Sequence, residues 1–416
     1  MENRTKQQSK RHCMVVFAHY PASETRVQRQ AEALINQGFE VDIICLRMIK
    51  TGTQPAEEMI NGAQVYRLPS TRSYGNTGFA QQFLEYLAFF FRAMIALIRL
   101  YPRRRWSVVQ IHNLPDFLVF AGWYPKLRGA KLILDIHDLM PEFFATRSKR
   151  DVNSWLVRLI KWQERLSCRF ANHVITVTKL WRQTLTDRSV PSDKISVVMN
   201  VADDRIFNRN NNNHTAVKDE SRFDLFYHGA IVPRYGIDLV LEAMARLRND
   251  IPQINFTIHG QSEYKEFLVK LAAQLDLSDR VHFTNRFVPI TELPALISAA
   301  DVAVVPYRRD VFTEGILPTK LMEYTALGVP AIVARTPAIE AYFSDSMVEY
   351  FPAGDVDALI SSIRRLYQDR ERLQSLVKHS DQFNQCYNWS KHSGDYLALV
   401  NKLADSQRRL RVMGDQ

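Results

Sequence analysis

A chain of 416 residues exceeds what one hydrophobic core usually serves, so about two domains of roughly 200 residues each are expected. Its 46% hydrophobic and 24% charged residues exclude a disordered or fibrous protein. The surplus of 54 basic over 44 acidic side chains, a net +10, favours anionic partners such as phosphate esters, acidic lipid headgroups or nucleic acid without choosing among them.

The polar, basic start "MENRTKQQSKRH" leads into "CMVVFAHY", an apolar run too brief for a secretory signal or a membrane span, so the chain is expected to stay in the cytoplasm. Cys13, Cys45, Cys168 and Cys386 are far apart and form no C-x-x-C pair, which fits buried thiols in a reducing compartment. From there β-branched runs alternate with segments of helix length: "CMVVF", "VDIICL", "QVYRL", "SVVQIH", "KLILDIH", "HVITVT" and "ISVVMN". Near-continuous apolar strands between helices predict a parallel sheet covered on both faces.

Within this half, residues 79–106 ("FAQQFLEYLAFFFRAMIALIRLYPRRRW") are densely apolar, but Glu85, Arg92 and Arg99 argue against a spanning helix. The segment reads as a core-packed helix or as an interfacial helix with Arg103, Arg104 and Arg105 on anionic headgroups, and the two readings are compatible. Residues 201–224, rich in Asn and charge, read as a linker. A second α/β pattern follows with "DLFYHG", "NFTIHG", "RVHFTN", "VAVVP", "AIVA" and "MVEYF", and the chain is then helical to its end. The expected domains are residues 1–204, 205–395 and a final helix 396–416, with a return of that helix to the first domain left open.

In open parallel sheets ligands bind beyond the carboxyl ends of the strands, and here polar residues gather there: His19, His112, Asn113, His137, Asp138, Asn200, His228, Gly229 and Gly260. In "LILDIHDLMPEFF", His137 suits an anion or sugar hydroxyl and Asp138 or Glu142 suits a hydroxyl donor, although a lone histidine at a strand end is more often a satisfied structural one. His112 in "QIHNLPDFLVF" reads the same way. No H-x-x-x-H or comparable spacing lies nearby, so no metal is expected. In "FYHGAIVPRYGIDLVLEAMARL", a loop with Gly229 and Gly236 feeds a helix start, and Arg234 adds a charged donor for a phosphate. In "ILPTKLMEYTALGVPAIVA", Lys320 and Glu323 fall one turn apart near a helix start, so one can reach a ligand while the other steadies it.

The order "YHGAIVPRYGIDLVLEAMARL", "LISAADVAVVPY", "LPTKLMEYTALGVPAIVA" resembles the nucleotide-sugar half of family 4 retaining glycosyltransferases, and "VVQIHNLPDFLVFAGWYPKLRGAKLILDIHDLMPE" resembles their acceptor-side domain. The resemblance spans about residues 12–400 and includes the "P-x-K-x-x-E-Y" pattern of a bacterial subgroup. It implies the GT-B fold: α/β, two facing Rossmann-like domains with parallel sheets and an inter-domain cleft. It further implies that Glu323 binds the donor ribose, that Arg234 and Lys320 face the diphosphate, and that His137 stands near the transferred sugar. Gly229 would mark the phosphate turn and Val288 the loop near the base. Three departures stand out: Glu314 is one residue off the usual glutamate spacing, Ala230 replaces the usual arginine, and Tyr235 replaces the usual lysine. The first glutamate's role is left among Glu314, a backbone amide and Lys320. The first loop, "HYPASETRVQRQ", leaves Glu24 and Arg26, with His112, Asp138 and Glu142, as acceptor-side candidates.

The resulting expectation is a retaining glycosyltransferase of cell-surface polysaccharide synthesis. It would move a sugar from a nucleotide-diphosphate donor, with a UDP-sugar favoured, to a glycan or lipid-linked acceptor. It needs no cofactor, makes peripheral contact with the cytosolic face of a membrane, and binds no nucleic acid. The alternatives are a non-catalytic glycan-assembly scaffold, a sugar-nucleotide epimerase and a phosphorylase of the same fold.

Overall fold

The computed structural model describes residues 10–21, 24–48, 54–69, 78–210, 221–260, 262–284 and 288–414, with side chains through residue 406. The start of the chain and the centre of the Asn-rich stretch, 211–220, lie outside these residues. The chain forms two compact units, Met1–Met199 with His392–Gln416, and Asn200–Lys391.

The first unit carries, among the described residues, an eight-stranded sheet of β1 (Arg11–Val15), β2 (Glu40–Leu46), β3 (Glu57–Ile60), β4 (Ala63–Leu68), β5 (Val108–His112), β6 (Lys131–Ile136), β7 (His173–Thr176) and β8 (Ile195–Val197). Their spatial order is β3-β4-β2-β1-β5-β6-β7-β8, and every pairing is parallel except β3 with β4. The apolar runs "HCMV", "VDIICL" and "VVQIH" are buried along their whole length, as strands covered on both faces must be. β3 gave no such signal, because "EEMI" is an exposed edge whose pairing is made by its backbone. The last helix, Trp389–Gly414, is anchored to this unit: buried Tyr396 donates through Oη to Gln110 Oε1 at 2.8 Å, and Lys10 reaches Asn401 and Asp405 at 2.7 and 2.8 Å.

The second unit carries six parallel strands, β9 (Phe223–His228), β10 (Ile254–His259), β11 (Val281–Thr284), β12 (Val302–Val305), β13 (Ala331–Arg335) and β14 (Glu349–Pro352), in the order β11-β10-β9-β12-β13-β14. Because all run the same way, the residues after each strand share one end of the sheet. Cys13, Cys45 and Cys168 are buried and Cys386 is exposed.

The Phe79–Arg104 helix resolves the reading of its segment. Tyr86, Phe89, Ala93, Leu97 and Tyr101 recur every three or four residues and are buried, while Phe83, Leu84, Phe91 and Ile95 on the other side are each more than two-fifths exposed. No helix among the described residues is long and apolar enough to cross a membrane. Arg104 does not belong with the exposed Arg103 and Arg105. Its guanidinium forks onto the carboxylate of Asp42, fully buried in β2, which also accepts from the indole of Trp106. Arg104 is therefore an internal tie and not a headgroup contact. Asp42→Ala should lower the unfolding free energy by about 2–4 kcal/mol, since a buried N–H and a guanidinium lose their acceptor. Arg103→Ser should stay within about 0.5 kcal/mol, and urea titration of both variants checks the contrast.

Candidate active site

Two clusters form at strand carboxyl ends, one in each unit. In the second unit β9 ends on Tyr227 and His228, and the chain turns at Gly229 with φ +106°, a conformation that side chains rarely tolerate. The packing there is close from two sides. A Cβ on Gly260 would stand 2.2 Å from the Gly229 carbonyl oxygen, and one on Gly229 would stand 3.3 Å from Lys320 Nζ.

Lys320 and Glu323 come from the Thr319–Ala326 helix, whose Pro318 cap and one-turn spacing aim both at the end of β9. Lys320 is only 6% exposed; its ammonium donates to Tyr227 Oη at 2.7 Å and lies 3.9 Å from that ring's centre. The rings of Tyr235 and Tyr307, stacked 4.4 Å apart, lie 5.1 and 5.6 Å away. Burial lowers the Lys320 pKa to about 7, with Glu323 acting in the opposite direction. Glu323 Oε2 is 2.6 Å from His228 Nε2, and the His228 backbone N–H donates to Tyr324 Oη at 3.1 Å. Arg234 sits on the short Pro233–Tyr235 turn, its guanidinium 5.7 Å from the Tyr235 ring and 5.3 Å from Phe312. The Tyr235 ring is thus shared by Arg234 and Lys320. A positive pair beside a glycine turn and a helix start, with a carboxylate one turn on, is suited to a diphosphate and vicinal hydroxyls.

The other candidates of this unit lie differently. Glu314 forms an ion pair with the exposed Arg309, and Val288 is buried beside residues 285–287, which are not described. Tyr227, Tyr307 and the His228 contact to Glu323 are additions that spacing did not point to. Tyr235 was visible in the sequence only as a replacement for a lysine, and it is the ring that flanks Lys320.

In the first unit, β5 and β6 pair in parallel so that His112 stands opposite Asp135. Asn113 then fastens the two strand ends. Its Oδ1 accepts from the His137 backbone at 2.7 Å, and its Nδ2 donates to the Asp138 carbonyl at 2.7 Å and to Asp116 at 2.8 Å. His137 Nε2 lies 3.0 Å from His112 Nδ1; the His137 side chain is 20% exposed and that of His112 fully buried. Beneath them Asp135 accepts from Arg26 at 2.9 and 3.2 Å, Gln30 at 3.1 Å and Gln110 at 2.9 Å. Burial opposes the charge on Asp135, but Arg26 and the two histidines hold its pKa well below the usual carboxylate range. Burial likewise holds His112 well below the usual histidine range and so neutral.

Arg26, read as an acceptor contact, is therefore interior and spent on Asp135. Glu142 pairs with Arg188, which also binds Glu164 at 2.8 Å. Glu24 caps the Thr25–Asn36 helix by position. His112, His137 and Asp138 are brought together; Arg26 reaches them only through Asp135, and Glu142 is held elsewhere. Asn113 was among the polar residues read at the strand ends, whereas Asp135 was omitted, although it was detectable because residues two apart along a strand share a face, as Asp135 does with His137. The ligand atoms of His112, Asp135 and His137 lie within 4.8 Å of one another, the spacing of a metal site. Both oxygens of Asp135 are already hydrogen-bonded, however, and a permanent cation on Arg26 faces them, so the cluster is built as a hydrogen-bonded support for His137.

These features define a two-unit α/β protein with polar residues gathered at its strand ends. Residues 22–200 match the model of the "glycosyl transferase 4-like domain" and residues 208–383 that of "glycosyl transferases group 1". The chain belongs to the family 4 glycosyltransferases. It is similar to the GDP-mannose-dependent alpha-(1-6)-phosphatidylinositol monomannoside mannosyltransferase of Mycolicibacterium smegmatis, 32% identical over 35% of this chain and 39% of that one. It is also similar to the chitobiosyldiphosphodolichol beta-mannosyltransferase of Debaryomyces hansenii, 23% identical over 76% and 71%. The first of these matches spans well under half of the relative's length. Among solved structures, sucrose-phosphate synthase from Thermosynechococcus elongatus shares the GT-B fold with a TM-score of 0.76, at 19% identity over 95% of this chain and 100% of that one.

The lowered pKa of Lys320 has a measurable sign. At about pH 8 its amine is mostly neutral, and a diphosphate brought beside it favours the charged form, raises the pKa and draws a proton from the buffer. The binding enthalpy of a nucleoside diphosphate sugar should then vary with buffer ionisation enthalpy at about pH 8 and lose that dependence at about pH 6, where the amine is already charged. Lys320→Gln should abolish it at the higher pH. A buffer-independent enthalpy at the higher pH would place the ligand away from Lys320.

Proposed function

We propose that the protein transfers a hexose from a nucleoside diphosphate to a hydroxyl of a lipid-linked or glycan acceptor, with retention of configuration. The observation that carries this reading is the buried Lys320 ammonium, packed on the Gly229 turn and one helical turn from Glu323. In the step, the bond from the sugar's anomeric carbon to the diphosphate oxygen breaks, and a bond to the acceptor oxygen forms. The acceptor's proton passes to the departing diphosphate. Lys320 and Arg234 offset the charge that grows there, and Glu323 fixes the donor by accepting from ribose hydroxyls. His137, steadied by His112 and Asn113, serves the sugar side.

Mannose is the first sugar to test, because two relatives are named as mannosyltransferases and one of them as GDP-mannose-dependent. The acceptor side is taken to meet a membrane peripherally, supported by the exposed apolar face of the Phe79–Arg104 helix and its terminal Arg103 and Arg105. A place in cell-surface glycan assembly at the cytosolic face follows from that reading. A second reading, a donor-binding scaffold without turnover, is favoured by one observation: Glu314, offset in spacing, is paired with Arg309.

Nucleoside diphosphate release from GDP-mannose and a panel of UDP-sugars, with and without phosphate-linked acceptors, decides between them. Acceptor-dependent release should fall about 10²–10³-fold in kcat/KM in Lys320→Ala and in Glu323→Ala, with the melting temperature as the folding control. The anomeric configuration of the product, read by NMR, tests retention. Donor binding without release across the panel would establish the scaffold.

A further inference from the structure

The first unit holds a cavity of about 490 Å³ that no part of the donor chemistry uses. Its walls come from the Phe79–Arg104, Met140–Ser148 and Trp155–Phe170 helices and the short Asp116–Gly122 turn, and are almost wholly apolar, with Phe83, Phe117, Phe143, Phe144, Leu159 and Ile160 prominent. A space of this size and chemistry lies in the range of ligand cavities and offers water few partners. It is continuous with exposed apolar surface, since Phe79, Phe83 and Leu159 of its wall are themselves 45–52% exposed.

Two further observations say what fits it. Leu114 and Met140 belong to the wall, and they directly follow Asn113 and closely follow Asp138, the residues that fasten the His137 cluster. Part of the cavity wall is therefore built by the segments that also carry the sugar-side candidates. Its one charged wall residue is Arg147, which donates to Gln82 and lies 5.2 Å from the Phe79 ring, and exposed Lys149 and Arg150 come next in the chain. An apolar hole with one guanidinium in its wall is complementary to a hydrocarbon tail whose head is anionic.

We propose that this cavity binds one hydrocarbon chain of a phosphate-bearing acceptor, which places the acceptor's polar head toward His137 and Asp138. The proposal rests on the transferase reading for the word acceptor, and on the cavity alone for the ligand. It makes the acceptor lipid-linked, where the reading above left a soluble glycan open.

The test uses the full chain and dodecyl phosphate below its micelle concentration, with ethyl phosphate and dodecyl maltoside as the chainless and uncharged comparisons, by calorimetry. Dodecyl phosphate should bind at one saturable site and ethyl phosphate should not. Ile160→Trp, which fills the cavity, should weaken binding about ten-fold, the equivalent of roughly two buried methylenes. Arg147→Gln should weaken dodecyl phosphate about ten-fold and leave dodecyl maltoside unchanged, as the loss of one charged partner predicts. Ile95→Ser, on the same exposed face but outside the cavity wall, should bind as the parent does. Absence of binding, equal loss in Ile95→Ser, or binding that tracks dimer formation in sedimentation would overturn the proposal, the last because a second copy would then cover the face.

Sugar transfer to one hydroxyl-bearing head, a sugar joined through a phosphodiester to either a dodecyl or an ethyl tail, separates the two readings. A lower KM for the dodecyl acceptor that Ile160→Trp removes supports both. If dodecyl phosphate binds as expected and no sugar moves to either acceptor, the transferase reading fails and the cavity's ligand stands. If sugar moves equally well to both and dodecyl phosphate does not bind, the transferase stands and the cavity proposal fails.

Discussion

An ammonium group removed from water loses hydration that few protein contacts replace, and the ligand end of the second unit is arranged around that loss at Lys320. One phenol oxygen and the faces of three tyrosine rings surround it, and Glu323 one turn away opposes the effect of burial. These groups compensate only in part, which is why the lysine titrates near 7 and not near its ordinary value. The incomplete compensation is itself useful. A site that already satisfied its cation would gain little from a diphosphate, whereas one that leaves it under-neutralised gives an arriving anion a strong partner in a dry setting.

The first unit meets the opposite demand. There the buried ion is an anion, Asp135, and it is surrounded until its charge is secure: Arg26 forks onto it, and Gln30 and Gln110 add further donors. Gln110 in turn accepts from Tyr396 of the final helix, so that helix is fastened to the same network that underlies His137. Removing a partner from such a network leaves a buried charge exposed to the low-dielectric interior, so its members act as a unit in fixing the orientation of His137.

How much of this was legible depended on whether a residue's role was set by its neighbours in sequence or across the sheet. The parallel strands were readable because strands buried on both faces must be apolar throughout, as "VDIICL" and "VVQIH" are, while the edge strand "EEMI" obeyed no such constraint. Lys320 and Glu323 were readable because helical spacing alone puts them together. Arg26 misled because it follows a strand-end loop in sequence, yet its side chain turns inward to Asp135, 109 positions away, and only the tertiary fold sets that pairing. Arg104 misled for the same reason: in a run of three arginines, nothing local distinguishes the one that reaches Asp42.

The apolar surface of the first unit divides by the same logic of what must be hidden. On the Phe79–Arg104 helix one stripe packs into the unit, and the opposite stripe remains exposed, with the cavity opening beside it. Hydrophobic attraction is not directional, so an exposed stripe by itself accepts any apolar surface. A walled cavity with Arg147 among its lining residues is more selective, because a chain gains full burial only by entering it and gains the charged contact only if its head is anionic. The selectivity thus comes from joining a non-directional attraction to one directional charge, and from the position of that pair next to the residues that follow His112 and His137.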